Sequence, residues 1–132
     1  MSNDLDALAV AAQQLAHAPY SKFSVGAAVE MTDGSRHQGA NIENASYGLA
    51  ICAERTAIFR AVLTGSKQLK EVSVCTDVSP PSSPCGACRQ VLLEFSPDPT
   101  KVIVTAINPQ GERRSWTLAQ LLPDGFTGKE LP

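Results

Sequence analysis

The hydrophobic positions along the chain recur with two different periods, and these periods predict alternating helices and strands. Leucine and alanine at helical spacing over 5–16 predict an amphipathic first helix. It should end before Pro19, because the residue before a proline is disfavoured in helical geometry. Helical spacing also predicts helices over 52–63 and 85–95, and a capping-box pattern at 117–120 predicts a short last helix.

Strand patterns fill the segments between these helices. Apolar residues alternate over 23–31 and a return strand follows over 36–42, which predicts a pair joined by a tight turn. Further strands are predicted over 71–76 and 112–116, and the nearly continuous apolar run over 102–107 indicates a strand covered on both faces. The order of elements predicts an α/β fold, a three-layer α/β/α sandwich around a mixed five-stranded sheet.

Length and charge restrict the classes of function. The 132 residues fit one domain spanning 1–132, and the formal net charge of −2 with scattered basic residues argues against binding a nucleic acid polymer. No apolar stretch is long enough to span a membrane, and the acidic N-terminus does not resemble a secretory signal. We therefore expect a cytoplasmic protein whose four cysteines are reduced and serve metal binding or catalysis.

Three of the cysteines have the spacing of a metal site. Cys85 and Cys88 are placed at i and i+3 in the first turn of a predicted helix, and Cys52 opens another helix. A redox disulfide would explain the CxxC pair alone, whereas three thiols suit a zinc ion with an open fourth position, as in catalytic sites. Cys75 lies inside a predicted strand and is expected to be a buried core residue, the alternative being a fourth ligand of a closed structural site.

Two charged residues follow Cys52 directly. Glu54 is placed to transfer protons beside a zinc-activated water, although an acid near a helix N-terminus also interacts favourably with the helix dipole. A zinc ion with three thiolates carries a net charge of −1, which two helix N-termini and Arg55 could offset. The alternative for Arg55 is a solvated helix face.

The run Cys52-Ala53-Glu54-Arg55, followed by Pro84-Cys85-Gly86-Ala87-Cys88, resembles the zinc signature of the cytidine deaminase family in its small homotetrameric form. The resemblance extends through 20–28, 41–48 and 122–126 and so covers most of the chain. It implies one Zn²⁺ per subunit, held by Cys52, Cys85 and Cys88. It also implies hydrolytic deamination of the free nucleosides cytidine and deoxycytidine to uridines and ammonia, in pyrimidine salvage, with Glu54 as the catalytic acid and base.

The resemblance also assigns substrate contacts. It implies that the Ala53 amide binds the 2-carbonyl of the base and that Asn41 and Glu43 bind the ribose 3′-hydroxyl. Both of these side chains should point to the same face of a strand end, although the residues alone would equally suit a solvated loop. The negative charge of Glu43 should repel a 3′-phosphate and so exclude polymeric substrates.

Aromatic residues are implied to complete the site. The resemblance makes Phe23 and Phe126 base-stacking groups, and it has Phe126 and Tyr47 reach a neighbouring subunit's pocket in a homotetramer. From the pattern alone Phe23 would be a core residue, whereas Phe126 lies in a tail without periodicity and suggests a subunit contact.

Two further alternatives stay open at the level of sequence. A non-catalytic module could use all four cysteines to bind a structural zinc. A deaminase of a nucleoside-like antibiotic such as blasticidin S would keep the chemistry, but Asn41 and Glu43 make sense only if a ribose is present.

Overall fold

A mixed sheet forms the middle layer of the fold. The computed structural model describes residues 2–132, and within this range the sheet has five strands. They are β1 (Gly26–Met31), β2 (Arg36–Ala40), β3 (Leu69–Cys75), β4 (Ile103–Ile107) and β5 (Arg113–Thr117). The strand order is β2-β1-β3-β4-β5; β3 and β4 run parallel and all other neighbours are antiparallel. The predicted mixed five-stranded sheet is confirmed.

Helices cover both faces of this sheet. The α-helices are α1 (Ser2–Ala12), α2 (Ala53–Leu63), α3 (Gly86–Glu94) and the short α4 (Leu118–Leu121). Alternation along β1 sends Ala27 and Val29 into a core shared with α2 and α3, whereas Ala28 packs with Leu5 of α1 on the opposite face. The predicted three-layer α/β/α sandwich is therefore confirmed, and the predicted capping box at Thr117 is present with both of its hydrogen bonds.

Two glycines let helices lie directly against the sheet. A Cβ atom built on Gly39 of β2 would come within 2.3 Å of the Ala57 nitrogen and 2.5 Å of the Ala53 oxygen in α2. On the other side of the sheet, a Cβ on Gly26 would come within 2.2 Å of the Ala9 oxygen in α1. These distances are far below van der Waals contact, so the separation between α2 and β2 requires glycine at position 39.

The edges of the first two strands differ from the sequence prediction. The strand predicted from residue 23 begins at Gly26, because the chain turns before it and Lys22 adopts a φ of 60°. The strand predicted to residue 42 ends at Ala40, and Ile42 makes only isolated bridges to His17 and Ile51. A short 3₁₀ turn over Tyr47–Leu49 then leads into α2. The pairing of β1 and β2 stops here because the side chain of Asn41 takes over hydrogen bonds of the Val25 nitrogen and the Phe23 oxygen.

We expect Gly39→Ala to lower both thermal stability and any activity that depends on the start of α2. The added methyl group would meet backbone atoms of α2, which cannot move aside without shifting the helix. The measurement is the midpoint of thermal unfolding by circular dichroism.

The matched control is Gly128→Ala, since a Cβ there has no neighbour within 4 Å. An unfolding midpoint for Gly39→Ala equal to that of Gly128→Ala would contradict the close approach of α2 and β2.

Candidate metal centre and active site

The N-termini of α2 and α3 bring three thiols together. Cys52 is the residue that caps α2, Cys85 caps α3, and Cys88 lies in the first turn of α3. The three Sγ atoms all lie within 4.8 Å of one another, and Cys85 Sγ is 3.4 Å from Cys88 Sγ. Neither capping sulfur accepts a hydrogen bond from a backbone N–H of its own helix, so these positions on the sulfur atoms are available for other ligands.

This set of donors fits zinc. Sulfur is a preferred zinc ligand, and Zn–S bonds of about 2.3 Å in a tetrahedron place ligand sulfurs about 3.8 Å apart. Three thiols within 4.8 Å can therefore share one ion and leave a fourth position for a non-protein ligand. Cys75 is fully buried in the cluster that packs against α1, on the opposite face of the sheet. A closed site made of four cysteines is therefore not formed.

Hydrogen bonds and charge favour a thiolate at this centre. A hydrogen bond from Cys88 lowers the pKa of Cys52 to about 5, and Arg55 adds to the effect. The Nη2 atom of Arg55 donates to Cys52 Sγ over 3.4 Å, which places the guanidinium against the thiol rather than in solvent. The first-turn N–H groups of both helices contribute further positive potential.

Glu54 lies immediately beside these thiols and is almost fully enclosed. Only 5% of its surface is exposed. Burial, together with the negative charge of Cys52, raises the pKa of this carboxyl to about 7. A carboxyl that gains and loses its proton near neutrality is suited to act as both acid and base.

A cavity of about 550 Å³ opens above this centre. It is lined by Ala53, Glu54 and Cys85 and also by Phe23 and Asn41. Tyr47, Glu43, Cys52 and Arg55 also line it. The cavity thus brings together most of the residues predicted from the sequence, whereas Phe126 lies outside it.

The side chain of Asn41 replaces the missing strand ladder. Its Oδ1 atom accepts a hydrogen bond from the Val25 nitrogen over 2.9 Å, and its Nδ2 atom donates to the Phe23 oxygen over 2.8 Å. These bonds end β1 at Gly26 and hold Phe23 outside the strand. The ring of Phe23 is 41% exposed at the cavity, so the interpretation as a core residue is wrong.

Glu43 fixes the same loop from its other side. Its Oε1 atom accepts from the Tyr20 and Ser21 nitrogens over 3.0 and 3.1 Å, and its Oε2 atom accepts from the Ser21 hydroxyl. The hydrogen bonds from Ser21 hold the pKa of Glu43 below its usual range, so the carboxylate is charged at neutral pH. The sequence did not reveal this role, because the donors precede Glu43 by more than twenty residues.

The two other aromatic residues that the resemblance assigns to the site, Tyr47 and Phe126, are exposed. Tyr47 is 80% exposed and meets Tyr20 edge to face, with ring centroids 6.5 Å apart. Phe126 is 57% exposed, and its carbonyl oxygen accepts a hydrogen bond from Gln90 Nε2 of α3 over 2.6 Å. The loop that carries Phe126 is therefore tied to the same helix that supplies Cys85 and Cys88.

Two residues of the cavity wall were not predicted from the sequence. Thr76 and Ser83 line the cavity, yet Thr76 lies at the end of a predicted strand and Ser83 in an irregular loop. Arg89 holds that loop by donating to the Pro84 oxygen, the Ser83 hydroxyl and the Leu121 oxygen over 2.7 to 2.8 Å. The loop is rich in proline and serine, which marks it as irregular but does not locate this anchor.

Comparison with known proteins agrees with this geometry. Residues 1–106 match the sequence profile of the family described as "Cytidine and deoxycytidylate deaminase zinc-binding region". The chain belongs to the cytidine deaminase family. The resemblance stated from the sequence is thereby confirmed, and the matched region includes the three thiols.

Relatives in this family are similar over nearly their whole length. A cytidine deaminase of Halalkalibacterium halodurans is 49% identical over 123 residues, which cover 93% of this chain and 92% of the relative. One of Sporosarcina psychrophila is 46% identical over 120 residues, covering 91% and 87%. The crystal structure of cytidine deaminase from Burkholderia pseudomallei superimposes with a TM-score of 0.90 at 44% identity, covering 96% of this chain and 99% of that one.

In the part of the chain that the structure describes, no helix combines the length and apolar character needed to cross a bilayer.

We expect the purified protein to contain one Zn²⁺ per chain, and Cys52→Ala to lose most of it. Removing one of three thiolates weakens the site because only two protein ligands remain. Zinc content measured by atomic absorption after dialysis tests this expectation.

The matched control is Cys75→Ala, which removes a thiol on the other face of the sheet and should leave zinc content unchanged. Loss of zinc from Cys75→Ala but not from Cys52→Ala would contradict the assignment of the centre.

Proposed function

We propose that this protein catalyses the zinc-dependent hydrolytic deamination of cytidine and deoxycytidine to uridine and deoxyuridine with release of ammonia, in pyrimidine salvage. One observation carries the proposal. A buried carboxyl, Glu54, lies beside three converging thiols in the wall of a cavity that is also lined by Asn41 and Glu43. Relatives named cytidine deaminase share this chain over nearly all of its length.

The three-cysteine site and Glu54 have different roles in the proposed reaction. When bound by Cys52, Cys85 and Cys88, zinc supplies the Lewis acidity that activates a water molecule near neutral pH. Glu54 takes a proton from the attacking water and delivers it to ring N3, which makes carbon 4 of the cytosine electrophilic. The same carboxyl then passes a proton to the departing amine, so that cytidine and water yield uridine and ammonia.

The start of α2 positions the base. Ala53 is the first residue of α2, and N–H groups in a first helical turn have no partner within the helix. The Ala53 amide can therefore donate to the 2-carbonyl of the base, next to the carboxyl that acts on N3. One helix end thus supplies a metal ligand, an orienting amide and the proton carrier in three consecutive residues.

The hydrogen-bonding capacity left on Asn41 and Glu43 suits a ribose. Asn41 Nδ2 uses one of its two hydrogens on the Phe23 oxygen, which leaves one for the sugar. A carboxylate has about four acceptor positions, and Glu43 uses three of them within the chain. One donor and one acceptor remain for a 3′-hydroxyl, and the charge of Glu43 disfavours a phosphate there.

We further propose that the chain, a single domain over 1–132, assembles as a homotetramer with one Zn²⁺ per subunit. Phe126 and Tyr47 support this assembly, because both are exposed. Tyr47 lines the cavity, and the loop that carries Phe126 is hydrogen-bonded to α3. Phe126 lies outside its own cavity and is free to complete a neighbour's. The reduced thiols of the centre fit a cytoplasmic enzyme.

We expect Glu54→Gln to lower kcat by about 10²- to 10⁴-fold, because glutamine cannot carry the proton. Zinc content and thermal stability should stay close to those of the unchanged protein. Loss of cytidine absorbance in the ultraviolet measures kcat directly.

The matched control is Glu94→Gln, an exposed glutamate on α3, which should keep full activity. Near-normal turnover by Glu54→Gln would contradict the proposed mechanism and favour a structural zinc module.

We expect Phe126→Ala to raise KM for cytidine about 5-fold, the effect of one lost aromatic contact, with little change in the unfolding midpoint. The ring is 57% exposed within the chain, so its removal leaves the subunit core intact. Steady-state kinetics and thermal unfolding, together with mass from light scattering, check this prediction. A loss of stability without a change in KM would assign Phe126 to the packing of its own subunit.

A further inference from the structure

Thr76 is a buried polar residue whose hydroxyl has no partner in the wall of the active-site cavity. It is 4% exposed, lines the cavity, and its Oγ1 atom makes no hydrogen bond. Its backbone is well held, since the Thr76 nitrogen donates to the Ile107 oxygen over 3.1 Å. The unused hydrogen-bonding capacity is therefore that of the side-chain hydroxyl.

The direction of this side chain follows from strand alternation. Val72 and Val74 of β3 face the core shared with α2 and α3, whereas Cys75 faces α1. Thr76 is the next residue and so points to the same side as Val74, where the cavity lies.

Other buried hydroxyls of the sheet are paired. Ser73 donates to Asp6 over 2.6 Å, and Thr105 bonds with the Ser115 hydroxyl over 2.9 Å. Native proteins leave few buried polar groups without a partner, because the lost hydration is not replaced. The Thr76 Oγ1 atom is shielded from solvent, so the exception at Thr76 leaves a hydroxyl that takes a partner from the cavity after a rotation of the side chain about χ1.

The sheet places Thr76 at the base end of a bound nucleoside. Gly26 pairs with Cys75, so Val25 lies opposite Thr76, and Asn41 bonds to Val25 on the far side. Adjacent strands are about 4.8 Å apart, which separates Thr76 from Asn41 by about 10 Å. That distance matches the span from a ribose to the far edge of its pyrimidine ring.

We propose that the Thr76 hydroxyl hydrogen-bonds to the polar edge of the pyrimidine base and so contributes to specificity. The inference rests on the proposed function, because it takes the ligand to be a pyrimidine nucleoside. A hydroxyl both donates and accepts and can rotate, so it can pair with an amine, a ring nitrogen or a carbonyl. It therefore suits a site where an exocyclic amine is exchanged for a carbonyl.

The test compares two substitutions in the zinc-loaded enzyme, one that removes the hydroxyl of Thr76 and one that keeps it. We expect Thr76→Val to lower kcat/KM about 5-fold for cytidine and equally for deoxycytidine, the size of one neutral hydrogen bond. Its unfolding midpoint should stay the same or rise, because the unpartnered hydroxyl is gone. Thr76→Ser keeps the hydroxyl, and its kcat/KM should lie within about two-fold of that of the unchanged enzyme.

The control is Thr105→Val, which removes a paired hydroxyl on the sheet away from the cavity. Its unfolding midpoint should fall while kcat/KM stays unchanged. Thr76→Val should thus lower kcat/KM without lowering the unfolding midpoint, whereas Thr105→Val should lower the midpoint without lowering kcat/KM. A purely structural role for Thr76 would not produce this difference.

Binding of uridine, measured by calorimetry, separates the inference from the proposed function. A weaker affinity for uridine in Thr76→Val would support the base contact even if the enzyme failed to deaminate cytidine. Unchanged uridine affinity and unchanged kcat/KM in Thr76→Val would overturn it, as would an equal loss in Thr76→Ser. If Thr76→Val does not fold, Thr76→Ala is judged by the same measurements.

Discussion

The meeting of two helix N-termini is the constraint on which the rest of this molecule depends. α2 and α3 start side by side, and three thiols occupy the point where they meet. Several thiols would repel one another as thiolates, but the partial positive charge of two helix ends and the guanidinium of Arg55 offset this repulsion. Because α2 rests directly on β2 at Gly39, its N-terminus has a fixed position relative to the sheet and the cavity.

Two polar residues of the cavity wall combine a structural task with a proposed binding task. Asn41 and Glu43 end the strand ladder and hold the loop that presents Phe23, and each retains one hydrogen-bonding position toward the cavity. A substitution at either position would therefore alter both the loop and the proposed ribose contact. Such sharing lets one compact sandwich build a polar site without a separate binding domain.

Much of this architecture could be predicted from the sequence because it depends on short-range patterns. Helical and strand periodicities located the main elements, and the i, i+3 spacing of Cys85 and Cys88 placed both thiols on one helix face. The predictions failed where a distant side chain replaced a local bond. The alternating pattern predicted that the first strand begins at Phe23. Instead, the side chain of Asn41 takes over the hydrogen bonds of that segment, and the strand begins at Gly26.

The sequence by itself determined the order of elements, the buried strand of the sheet and the identity of the residues available for chemistry. These features follow from backbone preferences and from burial, which act over a few residues. The tertiary structure alone establishes how close the three thiols lie, that Asn41 and Glu43 hold the loop before β1, and that the Thr76 hydroxyl stays unpaired in the cavity wall. Each of these depends on which strands and helices become neighbours, and such contacts between distant segments leave no periodic signal in the chain.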